Sequence, residues 1–132
     1  MTTTVPAPTE AADDEVLRAS ECARLNDLCR QGRLRESRIV FTRGCIDRFC
    51  DPGDDLSLFA VQIELAAKVR DHVFGDDDGP YGERDFGVFD HQQEKLFWKI
   101  DYYDPTLSFG SEDPTDLTKT HRVLTILLAS EY

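Results

Sequence analysis

Over residues 95–103 the side chains alternate with a period of two. Leu96, Trp98, Ile100 and Tyr102 fall on one side; Phe97, Lys99, Asp101 and Tyr103 fall on the other. An extended strand produces this separation, because successive side chains leave opposite faces of a sheet. The first set is apolar and reads as core. The second is half polar, so that face of the sheet is expected to meet solvent or a ligand. Residues 85–90 form the other arm of a hairpin that turns at His91-Gln92-Gln93-Glu94.

The remaining elements follow from periodicity and punctuation. Asp13 or Asp14 caps a helix running to about Gln31, with Ala19, Cys22, Leu25, Leu28 and Cys29 on its apolar side and Gly32 as its stop. Residues 37–42 read as a short strand, and residues 44–54 as a loop containing the Pro52-Gly53 turn. Asp54 and Asp55 open a second helix that runs to about Phe74. It carries two apolar stripes, Leu56, Phe59, Ile63, Ala66 and Ala67 in one and Leu58, Val61, Leu65 and Val69 in the other, so burial over much of its circumference is expected.

Residues 76–84 are a loop by composition. Residues 104–118 form a polar loop longer than a compact domain needs, and loops of that kind often carry function. Residues 122–129 are apolar at nearly every position; a strand flanked on both sides fits best, with a short helix as the alternative. The expected fold is α+β: an antiparallel sheet of about four strands with two helices on one face. Residues 1–12, rich in Thr, Pro and Ala, read as a disordered tail, and residues 13–132 as one domain.

Charge is unevenly placed. The formal net charge is -11, and residues 76–116 carry twelve acids against three bases, or -9 of it. Tyr81, Trp98, Tyr102 and Tyr103 lie in the same stretch. Such acidity argues against direct nucleic-acid binding and against anionic membranes, both of which call for Lys and Arg. It favours a basic protein partner or a cation. Against this, Arg30, Arg33, Arg35, Arg38, Arg43 and Arg48 face only Glu36 and Asp47, a local +4. That region is expected to neutralise the acidic segment within the fold, to pair two copies of the chain as a homodimer, or to be scattered surface arginine.

Four cysteines, Cys22, Cys29, Cys45 and Cys50, come without an export signal, so free thiols in a cytoplasmic protein are expected. The spacing of Cys45 and Cys50 is loose for a zinc knuckle and no nearby His completes it. No run is long enough to cross a membrane.

The motifs Tyr81-Gly82-Glu83-Arg84-Asp85-Phe86-Gly87, Phe97-Trp98-Lys99-Ile100-Asp101-Tyr102-Tyr103-Asp104, Gly110-Ser111-Glu112-Asp113-Pro114 and Arg122-Val123-Leu124-Thr125-Ile126-Leu127-Leu128-Ala129-Ser130-Glu131-Tyr132 together resemble a small, mostly alphaproteobacterial family filed as a domain of unknown function. The resemblance spans roughly the last three-quarters of the chain. It implies no activity; it implies plasmids and other mobile elements as a setting, and with them a counter-defence role.

The chain lacks a nucleophile elbow, a phosphate-binding loop and a zinc-protease helix. Its three histidines, His72, His91 and His121, are scattered, and His72 is explained by a helix C-terminus alone. Acid–base pairing of Asp101 and Asp104 with His91 or His121 is the enzymatic arrangement to test. The leading expectation is an acidic interaction or inhibitor protein, of the anti-CRISPR or antirestriction kind, that imitates nucleic acid in the basic groove of a nucleic-acid-binding protein. Asp76, Asp77, Asp78, Glu83, Asp85, Asp101, Asp104, Glu112, Asp113 and Asp116 would stand for phosphates, with Tyr81 and Tyr103 as flanking contacts. The alternative is a metal-assisted hydrolase using the same carboxylates, which would need three or four of them to converge. No catalytic residue, metal ligand or cofactor is assigned.

Overall fold

The structure, a computed structural model, describes residues 8–75 and 82–132, with the side chains of the first helix described from residue 13 onward. Helix α1 spans Pro8–Arg30. It starts upstream of the expected Asp13 or Asp14 cap, at a proline, whose fixed φ and missing N–H suit a first helical position. Gly32, at φ 70°, takes the left-handed conformation that ends the helix.

Strand β1 (Ser37–Phe41) is followed at once by helix α2 (Arg43–Phe49), where the sequence suggested only a loop. Two side chains create α2. Thr42, read as the last residue of the strand, is instead its N-cap: its hydroxyl accepts the Cys45 amide at 3.3 Å and donates to Glu131 Oε1 at 2.7 Å. Cys45 is buried in the shared core and its thiol donates to the Ile126 carbonyl at 3.6 Å. Cys45 and Cys50 therefore act separately, one as core and one half-buried.

Helix α3 (Asp55–Arg70) opens on the expected cap, Asp54, whose carboxylate accepts the amides of Leu56 and Ser57. It ends at Arg70, short of Phe74. Its two stripes part company. Leu65 and Val69 are buried, whereas Leu56, Phe59 and Ile63 stay exposed, so the burial expected over much of the helix circumference is confined to one stripe.

The hairpin is β2 (Phe86–His91) and β3 (Glu94–Tyr103), turning at Gln92 and Gln93 as expected. Strand β4 (His121–Leu128) completes a four-stranded sheet of order β1-β4-β3-β2. The sheet is mixed, which corrects the antiparallel expectation. The β2–β3 and β3–β4 pairs are antiparallel, but β1 runs parallel to β4, with Ile39 opposite Leu124 and Phe41 opposite Ile126. The direction of β1 is fixed by its ends: Arg122 N donates to Glu36 O, and Thr42 N to Ile126 O. Neither bond is visible in the alternation of side chains.

The three α-helices of the described residues, one more than expected, all contribute to a core on one face of the sheet. Cys29, Cys45, Leu65 and Val69 meet Leu96, Trp98, Ile100, Leu124 and Ile126 there. Each fully buried leucine or isoleucine contributes about 2 kcal/mol. Trp98 is 0% exposed and meets His72 and Phe74 edge-on. The opposite face, with Phe97, Lys99, Asp101 and Tyr103, is half-buried, as the alternation indicated, and Tyr132, after the short 3-10 turn Ala129–Glu131, packs edge-on against Phe97 there.

Candidate functional site: a clamped acidic loop

The loop between β3 and β4 holds most of the described acidic candidates. Three times within it an aspartate is followed two residues later by threonine: Asp104 and Thr106, Asp113 and Thr115, Asp116 and Thr118. In each, the threonine hydroxyl donates to the aspartate Oδ1, at 2.8, 2.7 and 2.6 Å. A backbone amide joins the same oxygen: Ser108 N on Asp104, Thr115 N on Asp113 and Thr118 N on Asp116. These are side-chain turns of the kind short polar residues make with their own backbone. The threonine hydroxyl is the largest cause holding each carboxyl below the usual aspartate range. Every one of these bonds uses Oδ1. At Asp113 and Asp116 no hydrogen bond or ion pair among the described residues engages Oδ2, so each is fixed by one oxygen and offers the other; the Asp104 carboxyl is held further by the backbone amides of Phe109 and Thr106.

The loop is fastened from below. Ser111 Oγ donates to Lys119 O at 3.0 Å, and Thr120 Oγ1 to Asp113 O at 2.8 Å. Arg18 of α1 reaches Asp113 Oδ1 at 3.1 Å. The deepest tie is Arg122, fully buried on β4. Its Nη2 donates to the Pro114 carbonyl at 2.7 Å and its Nε to Asn26 Oδ1 at 2.7 Å. Its guanidinium also lies over the Tyr102 ring, 5.0 Å from the centroid.

Glu83 belongs to this buried cluster. Tyr102 OH donates to Glu83 Oε1 at 2.8 Å, and Asn26 Nδ2 donates to Tyr102 OH at 2.7 Å and to Glu83 O at 2.9 Å. The Cys22 thiol is within 3.2 Å of both Glu83 Oε1 and Tyr102 OH. Burial pushes that thiol up to about 11 and raises the Tyr102 phenol, so both stay protonated and donate. Next along the chain, Arg84 grips Asp27 with two guanidinium nitrogens, Nε and Nη2, at 3.0 and 2.6 Å. A cavity of about 270 Å³ opens above the cluster, between α1 and Pro114 and Thr115 of the loop.

The other candidates are dispersed. Glu112 is exposed, with Lys119 4.0 Å away. Asp101 lies on the sheet face opposite the core, 3.0 Å from Lys99. Asp85 receives Ile100 N on its backbone carbonyl, at the start of β2. Tyr103 is half-buried opposite His121. Asp76, Asp77, Asp78 and Tyr81 lie outside the described residues. The fold does not gather the proposed acid–base groups: His121 sits opposite Tyr103 at one end of β3 and His91 opposite Glu94 at the other. His91 is buried against Phe49, with Lys68 Nζ 2.9 Å from Nδ1. Burial, then Lys68, lowers its pKa, so its approach to Glu64 at 3.7 Å joins a neutral ring to a carboxylate. Among the described residues, no three His, Cys, Asp or Glu side chains are grouped to hold a metal ion.

Among the described residues, no member of the arginine cluster forms an ion pair with the loop. Of its members, Arg48 pairs with Glu94 and Arg30 with Asp27, and among the described residues the others form no ion pair. Cys22 is marked in the sequence only as part of the apolar side of α1, and no local pattern marks Asn26 or Arg122 as site residues. The repeated Asp-x-Thr spacing was present to be read, and is the signal that finds the clamped carboxylates.

Fold and site define an α+β protein with a three-helix, mixed-sheet core and a rigid acidic loop; no described helix is long and apolar enough to cross a membrane. The chain belongs to the family described as protein of unknown function (DUF3768), whose model matches residues 57–131, more than half of the chain. No curated protein and no solved structure matches.

Proposed function

We propose that the chain is an acidic binding protein whose 104–119 loop occupies a basic surface on a protein partner, in the place of nucleic-acid phosphates. One observation carries this reading. Asp104, Asp113 and Asp116 are each pinned through Oδ1 by a threonine hydroxyl and a backbone amide, and Asp113 and Asp116 keep Oδ2 for an outside donor. Pre-positioned anions lose little freedom on binding, and a guanidinium fork recognises carboxylate and phosphate by the same geometry. Glu112 adds charge on the same loop. The depressed carboxyls keep the loop anionic well below neutral pH.

The test is capture from a native host lysate with the tagged chain, eluted by a salt gradient. The control is the triple variant Asp104→Asn, Asp113→Asn, Asp116→Asn. Asparagine keeps the Oδ1 acceptor and so the turns, while removing the charge. A nucleic-acid-binding partner that is retained by the wild type, released by salt, displaced by duplex DNA and lost with the triple variant supports the proposal. Equal capture by the triple variant sinks it.

A further inference from the structure

Helix α3 carries an apolar seam that its own fold does not cover. Leu56 is 81% exposed, Phe59 63% and Ile63 54%, and Ala66 and Arg70 continue the line. The steps are three, four, three and four residues, the a/d spacing of a helix that packs against another helix. Buried stripe and exposed seam coexist on this one helix: Leu65 and Val69 are buried in the core, while Ile63 and Ala66 of the seam share a groove with Ile39 of edge strand β1. Next to it lies a groove of about 310 Å³ lined by Ile39, Ile63, Ala66 and Ala67, with Arg30 and Arg70 at its rim. Three large apolar side chains in one exposed line are the mark of an interaction surface.

We infer that the occupant is a second copy of this chain, with the two α3 helices antiparallel about a two-fold axis at Ile63. Charge selects this partner. The first turn of α3 is acidic at Asp55 and its last turn is basic at Lys68 and Arg70. Antiparallel pairing brings Asp55 of each copy beside Arg70 of the other, and sets opposite helix dipoles side by side. Arg70 otherwise rests on its own neighbour Asp71 at 3.1 Å, and Asp55 has no ion pair among the described residues. Size agrees with charge. Centring the pair on Ile63 places Phe59 over Ala66 of the second copy, so the largest seam residue enters the groove beside the smallest. Leu56 then lies along the aliphatic stem of Arg70. Ala60 and Ala67 flank the seam and permit the helix separation of about 8–10 Å that such packing needs.

This dimer is distinct from the acidic loop and independent of what that loop binds. The test is sedimentation and light scattering on the full chain, combined with site-directed crosslinking. The wild type is expected at twice its 15.0 kDa mass. Phe59→Glu is expected to be monomeric with an unchanged circular dichroism spectrum, because the replaced side chain is not part of the core. Asp55→Arg and Arg70→Asp should each lose dimer, and the two together should regain it. Ile63→Cys, on the axis, should crosslink to itself on oxidation. Leu56→Cys should not, since the two copies stand about 20 Å apart. The wild type under the same oxidation is the blank for the native thiols. A monomeric wild type overturns the inference, whatever else covers the seam; so does a Leu56→Cys chain that crosslinks as readily as Ile63→Cys.

Discussion

Arg122 Nη2 lies 2.7 Å from the Pro114 carbonyl, and through that bond a side chain from the middle of the sheet holds the acidic loop in place. The other side of the guanidinium is bound to Asn26 on α1 at 2.7 Å. One buried cation thus joins the strand, the helix and the loop.

Removing it has two consequences. Arg122→Met keeps the volume and deletes the donors, leaving Asn26 Oδ1 and Pro114 O unpaired. The expected loss of stability is about 3 kcal/mol, the scale of a buried hydrogen-bonded charge. Denaturant unfolding reads that loss. Hydrogen exchange reads the second effect: faster exchange at the Ser111, Asp113, Thr115 and Thr118 amides at denaturant levels where the variant is still folded.

The loop should also respond to acid in a defined direction. Asp104, Asp113 and Asp116 have folded-state pKa values below their ordinary ones, set chiefly by Thr106, Thr115 and Thr118. Ionisation therefore favours the ordered loop. That contribution is whole above about pH 4, the ordinary aspartate value, and disappears as pH falls through the depressed values. Carboxyl NMR titration should show all three below the ordinary value, and Thr115→Val should move Asp113 upward. An unmoved Asp113 would reject the hydroxyl as the cause.

The hairpin turn can be improved. Gln92 and Gln93 both have positive φ, 49° and 67°, the two-residue pattern that favours Asn-Gly. Gln92→Asn with Gln93→Gly should raise stability by about 1 kcal/mol, or about 4 °C in melting temperature. Thermal unfolding followed by circular dichroism measures the shift.

Gly87 is required where β2 crosses Trp98. A Cβ there would collide with the Trp98 indole and the His72 ring. Gly87→Ala should cost about 1–3 kcal/mol and shift the fluorescence of Trp98, the single tryptophan in the chain.

What could be read from the sequence was whatever depends on neighbours along the chain. The hairpin, the Asp54 cap and the inward set Leu96, Trp98 and Ile100 are all set locally and are found as expected. The parallel direction of β1 depends on bonds to residues more than eighty positions away. Helix α2 has seven residues, too few for a periodic signal, and rests on a cap and one buried thiol. Asn26 and Arg122 meet across 96 residues. The Leu56 stripe teaches a different lesson: apolar periodicity reports that a face will be covered, and is silent on whether the cover comes from the same chain.

Strand β4 is the last of the four strands in sequence and lies between β1 and β3 in space. A ribosome therefore delivers the centre of this sheet after both of its neighbours. Until residues 121–128 emerge, β1 has no strand to pair with, and the hairpin presents Leu96, Trp98 and Ile100 beside an empty edge. Contacts spanning eighty residues or more make the closing step slow, and the waiting edges are sticky. The slow addition of β4 should thus be the step at which this protein most needs a chaperone.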